Sequence, residues 1–433
     1  MTTAEAQTAK DDMADARADR PTRQAWWLFA IGVGLVVLLA LIAIAISGGR
    51  FEYSLDDAYI HLRLSDQIWQ GNYGINAGEI SSPSSSIGWP LILAMFAWSG
   101  IHEYVPLLLN ALAVGLTLVV AHKGLSTKWI DFDANGRRAA GTVVAAGLCL
   151  NWFGIAITGM EQSAQILCVA AAAAGISRLA YTGRSDWWLW LALLVGPILR
   201  YESLSVTFAV GVIAILLGRW RNVLAVWAGV AVALLGFSAF LRSNDLALLP
   251  SSVLAKGVGG GGVKGALTES FRSVFGENAY AHNAPATWIL LTICAAALLV
   301  AVRIDRRMPF KSRPVLLLST AVVVLGGQTL LGDVQYWARY DVYALTYALL
   351  ILGVVGAFAI RRLFDSAGTV LGVIVIGVLI FGLVPTHFKT TVITPLASRN
   401  IADQQREIAR FTAEFLQAPI AVNDIGEVAY RGG

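Results

Sequence analysis

Apolar runs of roughly 15–22 residues recur from Trp26 to Pro385, each about the length that carries a helix across a hydrocarbon core. Short polar or basic connections separate them. The first run, Trp26 to Ser47, is too long for the apolar core of a signal peptide. The polar leader before it is also long, and Gly48-Gly49-Arg50 makes a poor cleavage site. The pattern therefore predicts a retained first helix. Between Gly88 and His122 two apolar stretches are broken at Ser99–Val105, where alternation of the loops requires an odd number of crossings. One of the two is expected to be re-entrant or only partly crossing. The expected fold is all-α and polytopic, with about 11 and up to 13 transmembrane helices by run length.

The polar stretches divide the rest. Residues 1–24 are polar and mixed in charge and read as a disordered leader on the cytoplasmic side. Residues 25–386 form the transmembrane domain. Within it, 48–87 is a first outer loop, too long for a simple turn, and 242–285 is a second outer loop with the glycine stretch Gly257 and Gly259–Gly262. In the first loop Leu55–Gln70 reads as a short helix. Ile60, Leu64 and Ile68 make an apolar stripe, while Asp56, Arg63 and Gln67 lie along another face. Such a helix is expected to lie along the membrane surface. The tail, 387–433, has a helical pattern around Ala402–Leu416 and a strand-like run from Ala418 to Val422. It stops abruptly for an outer domain, as a truncated one would.

Composition agrees with the pattern. The chain is 57% hydrophobic and 14% charged, against about 25% charged for soluble domains. Its tryptophans, Trp26, Trp27, Trp187, Trp188, Trp190 and Trp337 among them, fall mostly near run ends, as in interfacial belts. The net charge of +4 comes from basic residues in short loops: Lys123 to Arg138, Arg178 and Arg184, Arg219 and Arg221, Arg303 to Arg313, and Arg361 with Arg362. These are expected on the cytoplasmic side, with the N-terminus. That places the loops between them, and the C-terminus, outside a plasma or inner membrane. The charge is a matter of topology, and nucleic acid is not an expected partner. Cys149, Cys168 and Cys294 all lie in apolar runs and read as small buried hydrophobes. No internal repeat of the kind that builds transporters is visible.

The chemistry-bearing residues gather in the expected outer loops. Asp56 and Asp57 sit where the first helix leaves the bilayer. Ser54 and Asp57 have the spacing of a capping box, which gives Asp57 a structural duty and leaves Asp56 available as a general base. Arg63 follows on the same segment. Glu161, in Thr158-Gly159-Met160-Glu161, and Arg200 with Glu202 lie between apolar runs, where such groups line a polar cavity or pair together. Lys256, at the end of Leu249-Pro250-Ser251-Ser252-Val253-Leu254-Ala255-Lys256, and Arg339, just after Trp337, are cations suited to holding a phosphate. Gly259 to Lys264 lacks the hydroxyl residue and the preceding strand of a phosphate loop. His61, His102, His122, His282 and His387 show no metal-ligand spacing. A divalent cation is compatible with the acids but not required by them, so the cofactor is unknown.

Taken in order, these motifs resemble the GT-C class of membrane glycosyltransferases, and within it the arabinofuranosyltransferases of mycobacterial cell walls and their proteobacterial relatives. The resemblance runs from about 50 to 426. It is carried by Asp56–Ile60, Ser82–Trp89, Gly159–Glu161, Arg200–Glu202, Leu249–Lys256 and Asn423–Gly426. The Ser-Pro segment departs from the class pattern, with a serine run in place of Ser-Pro-Leu-Trp. The resemblance implies a GT-C-like fold that takes a sugar from a polyprenyl-phosphate donor and inverts the anomeric centre. The sugar would pass to a glycan or cell-envelope acceptor at the outer face of the bilayer. It implies Asp56 or Asp57 as base, Arg200, Lys256 and Arg339 on the phosphate, and Glu161 and Glu202 orienting acceptor or cations. A transporter or flippase, or a non-catalytic relative of the class, is the alternative reading.

Overall fold

The computed structural model describes residues 3–125, 137–248, 250–251, 284–331, 337–363 and 384–432. Lys256, the glycine stretch and the apolar run after Leu363 lie outside the described residues. Among those described, the chain is helical and contains no strand. Its α-helices are α1 (Thr3–Ile46), α2 (Asp57–Trp69), α3 (Gly88–Ala94), α4 (Val105–Leu125), α5 (Arg137–Cys149), α6 (Trp152–Ala156), α7 (Gln162–Thr182) and α8 (Trp187–Leu199). They continue with α9 (Leu204–Leu216), α10 (Trp220–Ser243), α11 (Ala284–Ile304), α12 (Arg313–Leu331), α13 (Val342–Leu363), α14 (Lys389–Asp403), α15 (Gln405–Phe411) and α16 (Gly426–Arg431).

Six of the described helices are long and apolar enough to cross a membrane: Arg23–Ile46, His102–Leu125, Gln162–Thr182, Trp220–Ser243, Ala286–Ile304 and Arg313–Leu330. Four shorter apolar helices accompany them: Ala140–Cys149, Trp187–Leu199, Tyr201–Leu216 and Val342–Gly356. Their outward faces are apolar. Val37, Leu38 and Leu41 on α1, Leu224, Val232 and Leu235 on α10, and Leu299 and Val300 on α11 are all exposed. An apolar surface of that extent is stable in lipid and not in water. The protein is an all-α membrane protein.

Packing inside the bundle follows membrane rules. Where α1 crosses α4, a side-chain carbon on Gly32 would come within 2.9 Å of the Gly115 Cα, and one on Gly115 within 2.7 Å of the Phe29 ring. Small residues let the two backbones approach, since lipid offers no hydrophobic drive between helices. The Asn110 amide, fully buried on α4, donates to the carbonyls of Ala156 at 3.2 Å and Met160 at 2.9 Å. It ties α4 to the turn leading into α7.

The broken stretch between Gly88 and His122 divides as expected. Helix α3 has seven residues, about 10 Å of rise, and ends in turns that return the chain to a 3₁₀ segment at His102–Tyr104. Only α4 is long enough to cross.

Three expectations need correction. The leader read as disordered is helical from Thr3 onward, continuous with the first apolar run; its alanine-rich composition favours a helix. The helix of the first loop is not held by one apolar stripe alone. Ala58, Tyr59, His61, Leu62, Leu64, Ser65 and Gln67 are buried on several faces of α2, which packs against α3 and α16. The apolar stripe described one contact face and missed the others, because polar His61 and Ser65 are buried through hydrogen bonds and an ion-pair contact, and Gln67 is buried beside them. The strand-like run Ala418 to Val422 is irregular, since a lone strand without a ladder partner gains little.

Candidate functional site

The site is built on connections at one end of the helices. Gly159 sits at φ +74°, and a side-chain carbon there would come within 2.6 Å of the Tyr53 ring and 2.7 Å of Ala58 Cβ. Only glycine lets this turn slide beneath the start of α2. Glu161, two residues on, is thereby brought to α2, fully buried. On the neighbouring connection α8 carries an internal proline, Pro197, and ends at Arg200, whose backbone is extended (φ −151°, ψ 131°). That turns the Arg200 side chain back into the bundle.

These residues form a chain of ion pairs. The Arg200 guanidinium donates to Glu161 Oε1 at 2.8 Å and, in a fork, to Glu202 at 3.1 and 2.5 Å. Glu161 Oε2 faces His61 Nε2 at 3.4 Å. Arg339 donates from Nη2 to Asp57 Oδ2 at 2.9 Å and to the Tyr340 hydroxyl at 2.9 Å. The Tyr340 ring lies near both guanidiniums, 5.2 Å from Arg200 and 4.8 Å from Arg339. Asp57 and His61 stand one turn apart on α2. The path Asp57–Arg339–Tyr340–Arg200–Glu161–His61 therefore closes on itself through that helix.

Arg339 is the unusual member. Its side chain is only 4% exposed, yet its Nε and Nη1 have no hydrogen-bond partner among the described residues. Native structures rarely leave such donors unpaired without a ligand or water to meet them. The backbone that presents it is strained: Trp337 and Ala338 take φ +59° and +46° in succession, a left-handed conformation costly for both residues. The Asn151 amide holds that turn, donating to the Trp337 carbonyl at 3.1 Å, while its own oxygen accepts from the Thr391 hydroxyl at 3.0 Å.

The two aspartates have duties opposite to those expected. Helix α2 has no side-chain cap, and the Ser54 hydroxyl donates to the Ile157 carbonyl instead. Asp57, 38% exposed, pairs with Arg339. Asp56 is the capping residue, but of α16: its carboxylate accepts the amides of Gly426 at 2.6 Å and Glu427 at 2.8 Å. Burial raises the Asp56 pKa, the two amides oppose that, and the charges of Asp424 and Asp57 add to it. The Asn423–Gly426 segment is thus seated on the first loop.

A second ionic group seats the C-terminal segment. Arg431 pairs with Glu427 at 2.5 Å and with Glu103, and lies 3.7 Å from Glu52. Glu52, fully buried, also takes Arg406 and the Tyr59 hydroxyl, the latter at 2.5 Å. Burial pushes the Glu427 carboxyl up to about 7, Arg431 pulls it down, and the charges of Glu52 and Glu103 push it further up.

Of the residues singled out in the sequence, Asp57, Glu161, Arg200, Glu202 and Arg339 come together, and Asp56 borders them. Arg63 does not join them. Its Nε donates to the Ile75 carbonyl at 3.0 Å and so braces the loop after α2. Lys256 lies outside the described residues. His61 and Tyr340 were missed. His61 was legible as the residue four positions after Asp57, and Tyr340 as the aromatic beside Arg339. Among the described residues no group of His, Cys, Asp and Glu converges as metal ligands do. Comparison of the sequence with protein-family models gives no match, and comparison with curated proteins gives none either.

Proposed function

We propose that this chain is a membrane glycosyltransferase that moves a sugar from a polyprenyl-phosphate donor to a glycan or envelope acceptor. The observation that carries the reading is Arg339, buried, paired on one side with a half-exposed carboxylate and left with two unmet donors. A guanidinium in that state is an anion receptor, and its fork geometry suits a phosphate. A cation beside a carboxylate at the mouth of apolar helices is what inverting transfer from a lipid phosphate needs. The cation holds the departing phosphate while the carboxylate takes the proton of the acceptor hydroxyl.

Asp57 fits the base better than Asp56, because Asp56 already accepts two backbone amides. Arg200 adds positive charge beside Tyr340, and Glu161 and Glu202 hold it in place. Lys256 remains a candidate for the same phosphate from its place in the sequence. The reading also includes about 11 crossings, counted from run length, a cytoplasmic N-terminus and an extracytoplasmic site in a plasma or inner membrane. The basic connections support that orientation.

The test is sugar transfer from polyprenyl-phosphate sugars by the purified chain in nanodiscs, with donor affinity measured beside it. Transfer that Asp57→Asn abolishes and Arg339→Gln weakens through donor affinity supports the reading. Donor binding without transfer, under any acceptor, would favour a lipid carrier or flippase. Absence of both would overturn the proposal.

A further inference from the structure

Two contacts from one stretch of chain hold the turn that carries Arg339. His387 is fully buried in the π-helical turn leading into α14, and its Nε2 lies 3.2 Å from Asp341 Oδ1. Asp341, also buried, is two residues beyond Arg339, and its other oxygen accepts the Thr287 hydroxyl of α11 at 3.2 Å. Thr391 stands one helical turn after His387. Its hydroxyl lies 3.0 Å from Asn151 Oδ1, with the carbonyls of Leu148 and His387 also in reach at 3.1 and 3.2 Å. The Asn151 amide in turn donates to the carbonyl of Trp337, two residues before Arg339. The segment 387–391 therefore reaches the turn at both ends, directly at Asp341 and through Asn151 at Trp337.

The turn is not a conformation these residues adopt unaided, because Trp337 and Ala338 both have positive φ. The imidazole is costly where it stands: Nδ1 is buried with no hydrogen bond among the described residues. An aliphatic side chain would fill the place without that unmet nitrogen. What the imidazole adds is the bond to Asp341, a buried carboxyl group that is expensive to leave unmet. We propose that His387 is a positioning residue for Arg339, holding the far end of the strained turn so that the two unmet guanidinium donors keep their place. The grip on the turn stands on these contacts. That Arg339 then receives a phosphate rests on the function proposed above.

The experiment compares His387→Gln, His387→Asn and His387→Leu in the full chain in nanodiscs. A glutamine amide nitrogen reaches as far as imidazole Nε2. An asparagine one reaches only as far as Nδ1 and cannot meet Asp341. 5-Fluorotryptophan labelling makes Trp337 the probe, with its ¹⁹F signal assigned by Trp337→Phe. That signal should stay single and unshifted in His387→Gln, and shift or split in His387→Asn and His387→Leu. Farnesyl phosphate, a lipid phosphate without a sugar, is titrated alongside. Its affinity should hold in His387→Gln and fall about tenfold in the other two, the size of one hydrogen bond to a charged group. Should His387→Leu not fold, the contrast between His387→Gln and His387→Asn decides alone. An unmoved ¹⁹F signal in His387→Asn would overturn the grip, as would an equal shift in His387→Gln. A moved signal with unchanged farnesyl phosphate affinity would overturn the positioning of Arg339. Failure of the unsubstituted chain to bind farnesyl phosphate would count against the proposed function, and the ¹⁹F signal would still decide the grip.

Discussion

At the level of single residues, the adjacent aspartates make opposite predictions. Asp57→Asn removes the carboxylate beside Arg339. Because Asp57 is partly exposed, water screens the pair, and stability should change by about 1 kcal/mol or less. Turnover should fall by about 10²–10⁴-fold, as for a lost general base. Asp56→Ala removes a cap and should lower stability by about 0.5–2 kcal/mol, with the C-terminal segment loosened and some turnover left. Thermal unfolding and transfer assays of both variants check this; equal loss of turnover without destabilisation in either would void the division of labour. Glu427 gives a pH prediction. Its folded pKa, about 7, lies above the usual carboxyl value, so the folded state binds the proton more tightly than the unfolded chain. The resulting stability is fully present below about pH 4.5 and is lost as pH rises through 7. The effect is on the order of 3 kcal/mol from the size of the shift. Melting temperature in detergent should fall from pH 5 to 8, and Glu427→Gln should flatten that slope.

At the level of elements, the connections matter more than the spans. Gly159→Ala would place a side chain at positive φ and against Tyr53 and Ala58. The conformation costs about 1–2 kcal/mol and the overlap a similar amount, so a loss on the order of 3 kcal/mol is expected in thermal unfolding. A neutral result would mean that the turn relaxes freely. Asn151→Ala would release the strained turn before Arg339; donor affinity should drop several-fold with the charged residues untouched, as titration with a polyprenyl-phosphate sugar would show. The apolar runs made most helices legible in the sequence, because in lipid the backbone has no choice but to bond to itself. The acids and bases between the runs were legible as a set for a related reason: charge beside hydrocarbon requires a use. Their partners were not. Whether Asp56 or Asp57 caps a helix depends on residues 426 and 427, and no local spacing carries that. The burial of α2 on several faces was hidden because its buried polar residues look, in sequence, like a wet face.

At the level of the whole molecule, the connections group by charge. Arg219 donates to the Gly183 carbonyl and Arg313 lies over the Tyr181 ring, so three basic connections meet at one end of the helices. The acids and Arg339 meet at the other. If the positive connections face the cytoplasm, a single-cysteine probe at residue 310 should be labelled from inside, and probes at 70 and 410 from outside. Phe310, Gln70 and Arg410 are exposed, so accessibility is not limiting. Labelling of 70 and 310 from the same side would sink the proposed orientation.

The pairing of Asp56 with the amides of Gly426 and Glu427 spans 370 and 371 residues. A ribosome adding about 5–20 residues per second leaves the first loop waiting on the order of 20–70 s for its partner. During that interval the Asp56 carboxylate is without the two amides that it accepts in the folded chain. A nascent chain stalled before residue 426 would thus hold the membrane helices described above with Asp56 still without those amides, a state that a membrane-bound chaperone or protease can read.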